Sequence, residues 1–303
     1  MNKRYIILAI LFIVFLQEYC DAQMTFWRRE RREIFFGGGA TNFLGDLGGA
    51  NQIGTNGLKD FNFPAIRPCF EIGYRYRTTR ETAVKGRLIY GRISGNDKYT
   101  KEPFRNNRNC NFRSPVVELS SQFEYSIVRE KQGHRYNLKG IKGLKNLQIT
   151  SYLFAGIGLI YFDPHGQWNG TWYNLKPMCT EGEGMVPTRK NYSLVQVVIP
   201  VGIGFKYALS KKWSIGIEYG IRKTFTDYMD DVSKTYFDPN YLMHEKGPIA
   251  VHFANPTNGT LSPNVTAAGQ QRGDPTDKDS YMFAFISFYY KIKKGFLSLP
   301  KFR

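Results

Sequence analysis

From residue 33 onward, apolar and polar residues alternate with a period of two over segments of more than ten residues, and helical periodicity is hard to find. The alternation predicts eight strands, at 33–44, 66–77, 82–94, 115–130, 148–162, 193–209, 213–226 and 280–293. In the seventh, Trp213, Ile215, Ile217, Tyr219, Ile221 and Phe225 fall on one face, opposite Ser214, Gly216, Glu218, Gly220, Arg222 and Thr224. The second sets Phe70, Ile72, Tyr74 and Tyr76 against Glu71, Gly73, Arg75 and Arg77. Soluble strands usually run ~5–6 residues. Strands that cross a bilayer at a tilt need ~9–11 residues in the apolar zone, and these segments are long enough.

The links alternate in length. Short turns at 78–81 and 210–212 interleave with long stretches at 45–65, 95–114, 163–192 and 227–279, and a basic link of middling length covers 131–147. Short periplasmic turns, long external loops and an even strand number describe a transmembrane β-barrel. The expected fold is therefore all-β: an eight-stranded antiparallel transmembrane barrel, one domain over 23–303, with its longest external loop at about 227–279. No later segment has the ~20 apolar residues of a membrane helix.

The start of the chain reads as an address. Lys3 and Arg4 precede a 12-residue apolar run at 5–16, and Cys20-Asp21-Ala22 offers small residues for cleavage. The expectation is a signal peptide over 1–22, removed before Gln23, and a bacterial outer-membrane destination. Three cysteines then remain, and an oxidising compartment favours one bridge, between Cys110 and Cys179 in polar loop segments, with Cys69 left over.

An eight-stranded barrel has an interior that side chains just fill. The polar faces would place Glu71, Glu118, Glu124 and Glu218 there with Arg75, Lys85, Arg87, Lys206 and Arg222. Because isolated buried charges are costly, these should pair into a closed plug, with a narrow ion path as the sharper alternative.

The chain carries 42 Lys+Arg against 25 Asp+Glu, a formal net charge of +17, and the excess is uneven. Arg28, Arg29, Arg31 and Arg32 precede the first strand. Lys131, Arg135, Lys139, Lys142 and Lys145 occupy the middle link, which has no acidic residue over 131–147, and Lys211-Lys212 form another turn. On the expected topology all of these face the periplasm, where nucleic acid is excluded as a partner by location. The remaining partners for this basic rim are anionic outer-membrane lipids or an acidic periplasmic protein.

Candidate chemistry is thin. His165 follows Asp163-Pro164 at an external strand end, and Ser193 is its nearest possible partner by topology, a weak basis for a lipid hydrolase. Gly37-Gly38-Gly39 lacks the helix and Lys of a phosphate-binding loop and reads as relief of crowding in a strand. The 274–279 run DPTDKD misses the spacing of a calcium loop, and Asn169, Asn258 and Asn264 sit in incidental glycosylation sequons. The reading is non-enzymatic, with no cofactor, metal site or small-molecule substrate expected.

Several segments resemble one family, the PorG-like outer-membrane barrels associated with the type IX secretion system of Bacteroidota. They are Gly37-Gly38-Gly39-Ala40-Thr41-Asn42-Phe43-Leu44-Gly45-Asp46, Phe70-Glu71-Ile72-Gly73-Tyr74-Arg75-Tyr76 and Gly156-Ile157-Gly158. Tyr236-Phe237-Asp238-Pro239-Asn240-Tyr241-Leu242, Arg272-Gly273-Asp274-Pro275 and Asp279-Ser280-Tyr281-Met282-Phe283 complete the set. The resemblance implies an eight-stranded barrel that docks on a periplasmic ring, built from a lipoprotein and its partner subunit, and ties the secretion machinery to the outer membrane. The alternative is a structural or adhesive surface barrel that works through its external loops.

Overall fold

The computed structural model describes residues 30–47, 63–130, 149–210 and 212–292. The expected signal peptide lies outside the described residues. Eight strands form the barrel wall: β1 (Arg32–Leu44), β2 (Arg67–Arg77), β3 (Thr82–Asn96), β4 (Asn111–Val128), β5 (Ile149–Phe162), β8 (Val195–Ala208), β9 (Trp213–Thr224) and β10 (Ser280–Ile292). A hairpin, β6 (His165–Trp168) and β7 (Thr171–Asn174), rises between β5 and β8. Neighbours run antiparallel in the order β3-β2-β1-β10-β9-β8-β5-β4, and β3 pairs with β4 to close the ring. The seam joins first strand to last, from Arg32 opposite Ile292 to Leu44 opposite Ser280.

The period-two pattern now has a direction. Ile34, Phe36, Phe70, Ile72, Leu88, Leu119, Leu153, Ile157, Val201, Ile217, Ile286 and Phe288 are all exposed, on the outside of the closed ring. A folded chain exposes so continuous an apolar belt only where lipid covers it. The alternate residues fill the lumen in two storeys. Toward the short turns these are mostly charged; toward the long loops they are mostly apolar, with Phe43, Cys69, Ile89, Ile93, Phe112, Val116, Ile160, Phe283 and Phe285 in one buried cluster and the Glu118–Arg222 pair beside it.

Gly37 and Gly39 are set by the seam. A Cβ on Gly39 would run into the Ala284 carbonyl, and one on Gly37 would reach Ile286 O at 2.6 Å, whereas Gly38 has its nearest neighbour at 3.9 Å. Small residues at 37 and 39 let β1 lie close against β10.

The described residues of the long links form a cap. It contains α1 (Pro103–Arg108), α2 (Pro239–Lys246), α3 (Pro248–Ala254) and the β6–β7 hairpin. Asp238 caps α2 by accepting from Asn240 N, and Glu102 caps α1 by accepting from Phe104 N and Arg105 N. The hairpin turns on Asn169-Gly170, both at positive φ (48° and 80°), the two-residue geometry that Asn-Gly favours. It packs on α3, with Trp168 stacked 4.4 Å from His252 and Tyr173 tilted at 5.6 Å from Phe253.

Candidate functional site

The lumen holds five carboxylates, Glu33, Glu71, Glu118, Glu124 and Glu218, and five cations, Arg75, Lys85, Arg87, Lys206 and Arg222. All are buried, and each sits on an inward position of a wall strand. The structure brings together every lumen residue anticipated from sequence and adds Glu33. Glu218 on β9 receives Lys85 Nζ at 2.7 Å and Arg87 Nη1 at 2.5 Å from β3, across the lumen, and the Tyr152 hydroxyl donates to it at 3.1 Å. Arg87 also reaches Glu71 at 3.0 Å, whose other oxygen accepts from Ser287 Oγ. Glu33 on β1 holds Lys206 on β8 (2.5 Å) and Arg75 on β2 (3.1 Å), and Arg75 Nε continues to Glu124 on β4 at 2.6 Å. Arg222 lies 3.4 Å from Glu118, which also accepts from the Tyr281 hydroxyl at 2.9 Å.

Aromatic rings from β1 and β10 support the cations. Lys85 Nζ stands 4.3 Å over Phe35, Lys206 Nζ 4.8 Å over Tyr289, and the Arg222 guanidinium 4.7 Å over Phe283. Equal numbers of opposite charges, each hydrogen-bonded and spaced for contact, make a neutral plug. Nearer the short turns Lys291 lies between Glu30 (3.6 Å) and Glu130 (3.5 Å), and Arg77 reaches Glu33 and Glu130.

Two buried arginines organise the cap. Arg108 grips Asp97 through Nε (2.7 Å) and Nη2 (3.0 Å), and donates to the Asp46 carbonyl (2.7 Å) and the Arg272 carbonyl (2.6 Å). Arg272 in turn donates to Glu181 Oε1 (2.9 Å) and to the carbonyls of Asp231 (2.7 Å) and Phe253 (3.2 Å). Through this pair all four external links are tied at one point. Glu181 also accepts the backbone N–H groups of Ser233 and Lys234.

Around them gathers an excess of buried acids. Burial is the leading cause that pushes Asp227 and Glu183 up to about 8, and Asp46 and Asp231 up to about 6. Asp230 and Asp279 are also raised, by burial first, then by neighbouring carboxylates: Asp46 and Asp227 for Asp230, and Asp230, Asp227 and Asp46 for Asp279. The segments that carry the family resemblance meet here: Asp46 Oδ2 accepts from Asp274 N at 2.9 Å, and a Cβ on Gly273 would sit 2.8 Å from the Ser233 backbone nitrogen.

The expected bridge between Cys110 and Cys179 is not formed; both are buried free thiols, as is Cys69. Cys110 is held by Asp97, which accepts its N–H at 3.2 Å, and its sulfur faces Arg272. Cys179 occupies a left-handed position (φ 51°), and its sulfur turns to the carbonyls of Lys176 and Pro177. The two cysteines lie in separate parts of the cap, each held against different neighbours.

Of the basic rim, Arg31, Arg32 and Lys212 are described. They stand at the short-turn end, with Arg32 and Lys212 exposed and Arg31 Nη1 donating to the Tyr76 hydroxyl at 3.3 Å. Arg28, Arg29, Lys131, Arg135, Lys139, Lys142, Lys145 and Lys211 lie outside the described residues. Ser193 Oγ donates to Val195 O, and His165 Nδ1 lies 2.8 Å from Asp163 O, so the two side chains engage separate local partners.

A closed ring of eight long strands with an apolar exterior and a side-chain-filled interior defines a membrane-spanning β-barrel. A family profile described as a domain of unknown function (DUF6089) matches residues 5–247, and the chain belongs to that family. No curated protein matches it. Similar solved structures include Ail, the attachment invasion locus protein of Yersinia pestis (9% identity, TM-score 0.38, 87% of this chain and 99% of that chain). Others are OprG, an outer membrane protein from Pseudomonas aeruginosa (10%, 0.32, 88% and 98%), and the outer membrane enzyme PagL (12%, 0.30, 86% and 99%).

Proposed function

We propose that this chain is a non-enzymatic barrel of the bacterial outer membrane that anchors a periplasmic assembly through its basic rim. The assembly would be the ring of the type IX protein secretion system, formed by a lipoprotein and its partner subunit. The carrying observation is the neutral plug: five cations and five carboxylates cancel inside the lumen, so the +17 excess belongs to surfaces outside it. A filled lumen also gives the barrel no passage to offer, which leaves its two ends as the working parts. The basic end suits an acidic partner, and attraction across such a surface weakens with salt.

The test is an affinity pull-down of the tagged protein from mild-detergent outer-membrane extract at low and high salt. Recovery of a periplasmic lipoprotein and its ring partner, reduced at high salt, supports the reading. Charge reversal at Lys139, Lys142 and Lys145 should weaken recovery and steepen its salt dependence; unchanged recovery removes the rim from the docking surface.

A second reading, a structural or adhesive barrel acting at the outer surface, is favoured by the ordered cap. It predicts that replacing the exposed cap tip at 256–262 abolishes function while rim reversal leaves it intact.

A further inference from the structure

Beyond the plug and the cap, one outward-facing patch carries positive charge without an answering carboxylate. Arg92 of β3 and Arg113 of β4 point outward from adjacent strands, one register step apart, since Arg92 pairs with Pro115 and Ser94 with Arg113. Arg67, at the start of β2, joins them around a depression of about 330 Å³ that Tyr99 and Trp172 also line. None of the three arginines makes an ion pair with a carboxylate among the described residues. Two are already positioned: the Arg113 guanidinium lies 3.7 Å over the Trp172 ring, and Arg67 Nη1 donates to the carbonyls of Pro64 (2.9 Å) and Ile66 (2.7 Å). Arg92 stays exposed.

Height on the wall decides what such a cluster meets. Directly below Arg92 on the same outward face come Tyr90 and Leu88, and below Arg113 come Pro115, Val117 and Leu119, the upper edge of the lipid-facing belt. Two residues of strand span roughly 7 Å, so the guanidiniums stand one step above the acyl zone, at headgroup level. A soluble polyanion would need no apolar shelf beneath it, and an acyl chain alone would need no arginines.

We infer that Arg67, Arg92 and Arg113 form a binding site for the phosphate groups of an outer-leaflet lipid whose acyl chains lie on the β3–β4 wall. Guanidinium forks bind phosphate oxygens bidentately, and fixing them beforehand lowers the ordering cost. The inference rests on the barrel's placement in a bilayer and is independent of any periplasmic partner.

The experiment places the full-length barrel in nanodiscs that contain either a diphosphorylated disaccharide lipid or the same lipid without phosphates, and measures retained lipid by native mass spectrometry. The wild type should retain the phosphorylated lipid at least tenfold better, and the double variant R92Q/R113Q should lose that preference. Heat-modifiable migration on gels checks that the variant is folded. Should the double variant fail to fold, Arg92→Gln alone, at an exposed side chain, should lower retention at least threefold. Equal retention of the two lipids, or an unchanged preference in the folded variant, overturns the proposal. Inorganic pyrophosphate binding the detergent-solubilised barrel as tightly as the phosphorylated lipid would assign the site to a free anion and overturn its lipid half.

Discussion

Glu218 is the residue whose loss the plug can least absorb. Its carboxylate receives Lys85 at 2.7 Å, Arg87 at 2.5 Å and the Tyr152 hydroxyl at 3.1 Å, all in the buried lumen. Substitution with Gln keeps the volume and an acceptor for Tyr152 but removes the charge. Arg87 would keep Glu71, whereas Lys85 would keep only the Tyr289 hydroxyl at 3.3 Å and the Phe35 ring. Removing one partner of a buried pair costs about 3–5 kcal/mol, because the other charge stays buried without compensation. That is on the order of a hundredfold or more in the unfolding equilibrium. Urea unfolding of E218Q in lipid vesicles, followed by tryptophan fluorescence, measures the loss. Pairing it with Lys85→Met should recover part of it, since the stranded ammonium is then gone, with a coupling of about 0.5–3 kcal/mol for groups in contact. A loss in E218Q under about 1 kcal/mol, or strict additivity of the two substitutions, would refute the claim that charge pairing holds the lumen closed.

Two further expectations concern the cap and the seam. The cap acids Asp46, Asp231, Asp227 and Glu183 hold protons up to about 6 or 8, above the ~4 of an unfolded carboxyl, so folding binds protons and stability falls as pH rises between those values. Amide exchange over 226–233, corrected for its intrinsic rate, should show more protection at pH 5 than at pH 8.5; equal protection would contradict this. At the seam, Gly39→Ala should destabilise by about 1–3 kcal/mol through overpacking against the Ala284 carbonyl. Gly38→Ala, whose Cβ meets its nearest neighbours at an ordinary 3.9 Å, should stay within about 0.5 kcal/mol in the same urea assay.

The wall is legible from residues alone because most strands announce themselves on both faces, as in 213–221, where every second residue is apolar. Lumen charges followed from the same parity. Glu33 escaped because its inward companions are Phe35, Gly37 and Gly39, which do not read as a polar face. The last strand is apolar on both faces, so its role in bracing cations with Tyr289 and Phe283 could not be seen without knowing which side was inside. The cap hairpin does leave a signal, Asn169-Gly170 flanked by Trp168 and Trp172-Tyr173, although the same Asn169 also sits in a glycosylation sequon. Arg108 and Arg272 left none: their partners come from segments up to 164 residues away in sequence. The cysteine pairing failed for a related reason, since nothing local distinguishes a loop that floats from one that is locked.

The lumen contacts also bear on how the barrel is made. Glu218 meets Lys85 and Arg87 from the opposite side of the ring, and Glu33 meets Lys206 three strands away. Contacts between non-neighbouring strands cannot form while the sheet is an open ribbon; they arise only when β1 zips against β10. A half-assembled chain could pair Glu33 with Arg75 and Glu71 with Arg87 on adjacent strands but would leave the cross-lumen partners unmatched, and a slip of two residues at the seam would displace Glu33 of β1 from Lys206. Charge matching across the lumen thus ties the pairing of these charges to closure in the correct seam register.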